Sequence, residues 1–455
     1  MPCDLLGSGN KTLEKIHNLG FLLIIFNTTK MKKFLFLLAV LMAFSISAQD
    51  TYLHCGKLID TKNGKVLTNK TVVISGKKIV SVNDGFSTPK SKDDIVVDLK
   101  NKTVMPGFID MHVHIEGETS PTRYLDVFTK NQADVAFNAT EIANRTLMAG
   151  FTTVRDLGGS GVNVALRNAI AKGKVSGPRI FTAEKAIGTT GGHADPTNGM
   201  RKDLMGDPGP AEGVINSPED ARKAVRQRYK NGADLIKITA TGGVLSVSKN
   251  GHNPQFTQEE ANEIVKTAKE YGMHVAAHAH GDEGMKRAIK AGVLTIEHGS
   301  IMSKETAQLM KQYNTYLVPT LSAGRYVAEK AKIPNYYPPI ILPKIKMIDA
   351  ELRKTFAMVY KEGVNIAFGT DAGVFPHGEN AKEFGYMVET GWSPMFSIQS
   401  ATLTNAKLLD MENELGQIAA GFIADIVATD DDPTQNIHTT ETVSFVMKEG
   451  KIYKK

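Results

Sequence analysis

From residue 106 to residue 406 the chain repeats one theme, a short apolar run followed by an amphipathic stretch. That alternation constrains the fold more than any other feature. Eight strand-like runs stand out: Phe108–Val113, Phe151–Arg155, Arg179–Ala183, Leu235–Ala240, His274–His278, Leu294–His298, Tyr316–Thr320 and Asn365–Gly369. Helix-like segments separate several of them, as at Pro218–Tyr229, Gln258–Tyr271 and Glu283–Ala291. Strand and helix in alternation build parallel βα units. Eight such units are the size of an α/β chain folded as a (β/α)8 TIM-type barrel, about 250 residues plus insertions. An open doubly wound sheet competes, but its Gly-rich dinucleotide loop does not follow the first strand.

Both ends of the chain have a different texture. Residues 49–105 contain short β-rich pieces, Thr71–Ile74, Lys78–Val82 and Ile95–Val97, divided by turn signals. Residues 407–455 match them with Phe422–Val427, Val443–Met447 and a turn at Lys448–Lys451. The expected organisation is a small β-sandwich built from 49–105 and 407–455, flanking a barrel over 106–406. No internal repeat or low-complexity tract interrupts it.

Residues 1–48 read as a leader. Met31-Lys32-Lys33, the apolar run Phe34–Phe44 and the small residues Ser45–Ala48 are the three parts of a secretory signal peptide, here about 31–48. The run is too short for a membrane span, which needs about 20 residues, so no stable membrane anchor is expected. Met31 is expected to be the true start, with one long amphipathic leader over 1–48 as the alternative. The expected location is exported, periplasmic or secreted. The net charge of +6 falls to +3 once the leader's five Lys, Asp4 and Glu14 are set aside. No basic cluster interleaved with aromatics appears, so no nucleic-acid partner is expected. Loss of Cys3 would leave only Cys55, and 12 His against two Cys steer any metal site toward imidazole and carboxylate.

The chemistry gathers at strand ends. In Pro106–His114, His112 and His114 share one side of the first strand. Lys237 stands inside the apolar fourth strand between Ile236 and Ile238, where a lone ammonium is costly. It either snorkels from an edge strand or reacts as a neutral amine with carbon dioxide, giving a carbamate that can bridge two metals. The fifth strand ends in His278-Ala279-His280-Gly281, the sixth in Glu297-His298-Gly299, and the eighth in Thr370-Asp371-Ala372-Gly373. Active sites of barrels gather at this end of the strands.

His112-x-His114, Lys237, His278, His298 and Asp371 resemble the ligand pattern of the binuclear amidohydrolase superfamily. Gly416–Ile426 and the split β-domain extend the resemblance over the chain after the leader. Gly191-Gly192-His193, Gly232–Lys237, His278–Gly281 and Ile296–Gly299 are similar to the imidazolonepropionase-related branch that includes Xaa-Pro dipeptidases (prolidases). Imidazolonepropionases work with one metal and lack the strand-four lysine, so Lys237 counts against that activity.

The resemblance implies that His112, His114 and Asp371 hold one metal, His278 and His298 the second, and carbamylated Lys237 bridges them. Zinc is the default for such donors. Two ions would lower the pKa of a shared water and polarise a scissile carbonyl, with Asp371 and Lys237 as catalytic residues and Asp371 carrying the proton to the leaving amine. His280 shares the strand parity of His278, and either can be the ligand; the pattern favours His278 and puts His280 near substrate. His193, Arg155, Arg325 and Tyr326 are the other substrate-binding candidates, Arg155 and Asp156 alternatively forming a structural ion pair. Asp430-Asp431-Asp432 reads as a solvated turn.

The expected function is hydrolysis of a non-aromatic carbon–nitrogen bond in a small peptide or amide, foremost a dipeptide such as Xaa-Pro. The rivals are an amidohydrolase opening a cyclic amide or lactone and a non-catalytic binding barrel. Substrate side-chain preference, native metal and any homo-oligomer are not legible.

Overall fold

The computed structural model describes residues 49–247, 249 and 251–455. The expected leader and signal peptide over 1–48 lie outside the described residues. Asp50–Lys455 form one compact unit.

The amino-terminal part supplies β1 (Asp50–Asp60), β2 (Lys65–Ser75), β3 (Lys78–Asp84) and β4 (Ile95–Pro106). After the central elements the chain returns with β14 (Ile426–Thr429), β15 (Phe445–Lys448) and β16 (Lys451–Lys454). The two ends do pair: β14 lies antiparallel to β4, Val427 opposite Met105. All seven strands form one sheet in the order β16-β15-β14-β4-β1-β2-β3, where the sequence reading expected a sandwich. The reason is β1, which pairs with β2 on one edge and β4 on the other, so β14 extends the same sheet rather than starting a second. A register shift between Cys55 and Lys57 bends it. Gly56 sits at that bend because a Cβ there would lie 1.8 Å from the Lys100 carbonyl oxygen. Leu53, Val72, Val97, Ile426, Phe445 and Met447 share one apolar core on this sheet.

Between the two ends run β5 (Phe108–Val113), β6 (Phe151–Asp156), β7 (Arg179–Thr182), the short β8 (Gly188–Thr189) and β9 (Val214–Ile215), β10 (Ile236–Thr239), β11 (Val275–Gly281), β12 (Thr295–Ile301) and β13 (Tyr316–Val318). β5-β6-β7 and β10-β11-β12-β13 are parallel sheets. Except in β7, where Arg179 and Phe181 are half-buried, their burial is near-complete along each strand, as expected of parallel strands covered by helices. Helices Pro218–Asn231, Gln258–Glu270 and Asp282–Ala291 fall where periodicity predicts them. Thr257 and Glu260 close a reciprocal capping box on the second, and Gly232 and Gly292 end the first and third in left-handed conformation.

The eighth run, expected as a regular strand over Asn365–Gly369, is an irregular segment held on both sides. Leu317 donates to the Asn365 carbonyl at 2.8 Å and Ala367 to that of Leu317 at 2.9 Å. On its other side Met111 donates to Phe368 at 3.0 Å and Asp371 to His112 at 2.7 Å. Gly369 permits the close approach, since a Cβ there would lie 2.4 Å from Val318 Cγ1.

Sheet and parallel strands are tied at the strands' amino-terminal ends. Arg179 donates to Asp425 at 2.8 Å and Glu449 at 3.0 Å, and Lys448 Nζ to the Gly177 carbonyl at 2.9 Å. The opposite, carboxyl-terminal ends are left to the site.

Candidate active site

His112 lies in β5 and His114 just past its end, Lys237 lies in β10, His278 and His280 lie near the end of β11, and His298 lies in β12, so four strands deliver their side chains to one place. The rings of His112 and His298 are 5.0 Å apart, His278 and His298 4.7 Å, and His280 and His298 5.0 Å. His112 Nε2 lies 3.4 Å from Asp371 Oδ1 and 3.4 Å from Lys237 Nζ, and His114 Nε2 lies 3.4 Å from the same Asp371 oxygen. One ligand atom each from His112, His298 and Asp371 fall within 4.8 Å of one another.

The outer nitrogens fix which lone pairs face inward. His114 Nδ1 is 2.8 Å from the Gly158 carbonyl and His278 Nε2 is 3.1 Å from that of Gly242. A carbonyl only accepts, so those nitrogens carry hydrogen, leaving His114 Nε2 and His278 Nδ1 as free lone pairs. His112 Nδ1 donates to Glu297 Oε2 at 2.9 Å, and His298 Nδ1 sits 2.7 Å from Thr320 Oγ1. Such outer bonds orient metal ligands, and the carbonyl and carboxylate partners set the tautomers of His112, His114 and His278. Burial foremost holds His112, His114, His278 and His298 below the ordinary imidazole range, which favours the neutral form of each.

Two carboxyls are also shifted. Burial raises Asp371 to about 6, against the pull of His114 and Lys237. Burial raises Asp110 to about 6 as well. Asp110 accepts from the backbone N–H groups of His112 at 3.0 Å and Thr370 at 3.1 Å, from Thr370 Oγ1 at 2.7 Å and from Asn380 at 2.9 Å. It thereby locks the two segments carrying His112 and Asp371. Lys237 is buried, and desolvation lowers it to about 8.

Backbone strain marks the same place. His298 has φ 72°, Asp371 φ 61° and Thr320 φ 52°. Left-handed conformation costs a non-glycine residue about 1–2 kcal/mol, and such positions cluster at functional sites.

A cavity of about 520 Å³ opens over these residues, lined by all six expected ligands together with His193 and His280. The His193 ring is 4.4 Å from that of His278. His280 Nδ1 is 2.9 Å from Ser300 Oγ.

Three expected substrate contacts are corrected. Arg155 is fully buried away from the cavity; it donates to Glu297 Oε1 at 2.8 Å and to the Met111 carbonyl at 2.7 Å. The ion pair is therefore with Glu297 rather than Asp156, whose carboxylate accepts from Ile115, Asn163 and Thr182. Arg325 and Tyr326 lie on the helix Leu321–Lys330, whose cavity face is Ala323, Gly324 and Val327. Arg325 turns away to pair with Glu389 and stacks 4.1 Å from the Tyr386 ring, and Tyr326 faces Tyr336.

Sequence reasoning gave no role to Glu297, Asp110, Thr320 or the cavity-lining Arg123. His377, buried, was missed too; its Nε2 is 3.1 Å from the His114 carbonyl. The only available signals were a carboxylate inside an apolar strand, for Asp110 and Glu297.

Neutral imidazoles, a buried carboxyl and a buried lysine converging on one cavity define the protein as an enzyme with a candidate metal centre. The family model of the Amidohydrolase family matches residues 103–453, and the chain belongs to that family. It is similar to a solved Xaa-Pro dipeptidase with methionine bound in its active site, at 51% identity and TM-score 0.87, covering 90% of this chain and 100% of that one. A prolidase complexed with N-methylphosphonate-L-proline is 33% identical with TM-score 0.80, covering 90% of this chain and 100% of the other. The ochratoxinase of Aspergillus niger is 31% identical over 439 residues, 91% of this chain and 89% of the relative. The chain is thus a hydrolase of amidohydrolase type.

Proposed function

We propose that this protein is a dipeptidase that hydrolyses Xaa-Pro dipeptides with two divalent ions, zinc by first choice. The observation carrying this reading is the whole-chain likeness, at 51% identity, to a Xaa-Pro dipeptidase. The donor set fits the metals: neutral imidazoles with inward lone pairs and a carboxylate, the chemistry zinc prefers. His112, His114 and Asp371 would hold one ion and His278 and His298 the other. A carbamate on Lys237 would bridge them; burial lowers this amine to about 8, which raises the share of the neutral form that attacks carbon dioxide and releases a proton.

Two bound divalent ions supply Lewis-acid polarisation and a water acidified to near neutrality. Asp371, beside the metals and the bound water, would accept a proton and return it to the leaving amine. His193 and His280, beside the ligands on the cavity wall, would contact substrate. We further read the parallel strands and the segment 365–369 as a closed (β/α)8 barrel over 106–406, and residues 1–48 as an export leader.

A second reading, hydrolysis of ochratoxin, rests on the 31% identity to the ochratoxinase. A panel of Xaa-Pro and other dipeptides, ochratoxin, cyclic amides and lactones, assayed with added zinc, separates the readings. Fastest turnover of Xaa-Pro supports the proposal. Turnover of a cyclic substrate alone would replace it.

A further inference from the structure

With Arg155, Arg325 and Tyr326 turned away, the cavity needs another group to hold a peptide's terminal charges. Most charges on its wall are already matched. Lys237 belongs to the metal centre, Glu118 pairs with Arg145 at 2.8 Å and Asp126 with Lys130 at 2.8 Å. Two are not.

Arg123 begins the helix Arg123–Thr129 and lines the cavity. Its guanidinium donates to Thr119 Oγ1 at 3.2 Å and lies 5.7 Å from the Tyr124 ring, with no carboxylate partner among the described residues. Asp349 lies on the helix Leu342–Glu362, which turns Ile345, Ile348, Asp349 and Leu352 toward the cavity. That spacing is one helical face, apolar except for Asp349. Its carboxylate has no hydrogen-bond or ion-pair partner among the described residues.

An exposed, unmatched cation and an exposed, unmatched anion lining one cavity, with an apolar strip beside the anion, complement a small zwitterion. We propose that Arg123 binds the substrate's free carboxylate and Asp349 its free α-ammonium, so that the enzyme selects dipeptides with both termini free. Ile345, Ile348 and Leu352 would then receive the amino-terminal side chain. A guanidinium grips a carboxylate through two parallel N–H bonds, and a tertiary Xaa-Pro amide offers no N–H of its own, which throws recognition onto the terminal charges.

This inference rests on the dipeptidase reading. The test compares kcat/KM for Leu-Pro, Leu-Pro amide and N-acetyl-Leu-Pro in the wild type, Arg123→Gln and Asp349→Asn. The wild type should prefer Leu-Pro over its amide by about 100-fold, and R123Q should erase that preference. D349N should lower the preference for Leu-Pro over its N-acetyl form by about 10-fold. The ratios are the informative readout, because a merely structural loss lowers all three substrates together. Unchanged ratios in both variants, or equal losses on all substrates, would overturn the inference while the dipeptidase reading stands. A wild-type enzyme that cleaves none of the three would overturn both.

Discussion

Glu297 Oε2 takes the Nδ1–H of His112 at 2.9 Å, while its other oxygen takes a 2.8 Å bond from Arg155. Arg155 and Glu297 are completely buried, so the pair forms the floor on which His112 is set with Nε2 toward the cavity.

Glu297→Gln should therefore weaken metal binding and the fold together. It leaves Arg155 buried without its counter-charge, a loss on the order of 3–5 kcal/mol. It also loosens the orientation of His112, which should cost about 10–100-fold in metal affinity. Denaturant titration and zinc binding measure the two effects. Wild-type values in both would contradict the role.

The parts of this site that were legible in the sequence obey strand alternation. His112 and His114 share parity, and Lys237 is opposed to Ile236 and Ile238. Glu297 escaped because alternation puts it opposite His298, whereas both reach His112. The left-handed backbone at His298, φ 72°, breaks the alternation. Arg155 was misread for a related reason: its partner lies on a strand 142 residues away, and no local pattern announces that pairing. Arg325 and Tyr326 required knowing how far the helix Leu321–Lys330 rotates after β13 (Tyr316–Val318). The βα alternation was plain because it repeats. The seven-stranded sheet was half legible, since pairing of the two ends was readable but the single continuous sheet depends on which edge of β1 each partner takes.

Lys237→Ala should lose nearly all turnover and metal while keeping the fold, because the other ligands sit on separately anchored strands. Acetate or propionate should restore part of the activity by supplying a bridging carboxylate. In the wild type, zinc uptake with bicarbonate should quicken as pH rises through about 8, where burial has lowered the lysine and the reactive neutral amine gains. Full activity in the variant would refute the bridge.

Stability should fall with rising pH through Glu383. Its carboxylate accepts from the Leu321 and Ser322 backbone N–H groups at 2.8 and 2.7 Å and from Ser322 Oγ at 2.7 Å, starting the helix that follows Thr320. Burial raises it from 4.5 to about 8. The folded state therefore holds the extra proton between those values. This contribution is fully present below about 4.5 and is lost as pH rises through about 8, with a slope of at most about 1.4 kcal/mol per pH unit. Melting temperatures of wild type and Glu383→Gln should lie closest near pH 5 and diverge as pH rises to 9, the wild type falling below a variant that keeps the neutral form's bonds. A constant difference would exclude this titration.

Export predicts a mature amino terminus near Gln49, after Ser45–Ala48. Sequencing the protein from the exported fraction of its native host checks this. A retained Met1 or Met31 there would contradict it.

A two-metal centre held by His112, His114, Lys237, His278, His298 and Asp371 makes a definite prediction of metal stoichiometry. Zinc titrated into chelator-stripped protein in bicarbonate buffer, with kcat/KM for Leu-Pro followed at each addition, tests it most directly. Activity should be absent without metal and reach its plateau at two equivalents per chain. A plateau at one equivalent, or activity that survives exhaustive chelation, would rule out the two-metal centre.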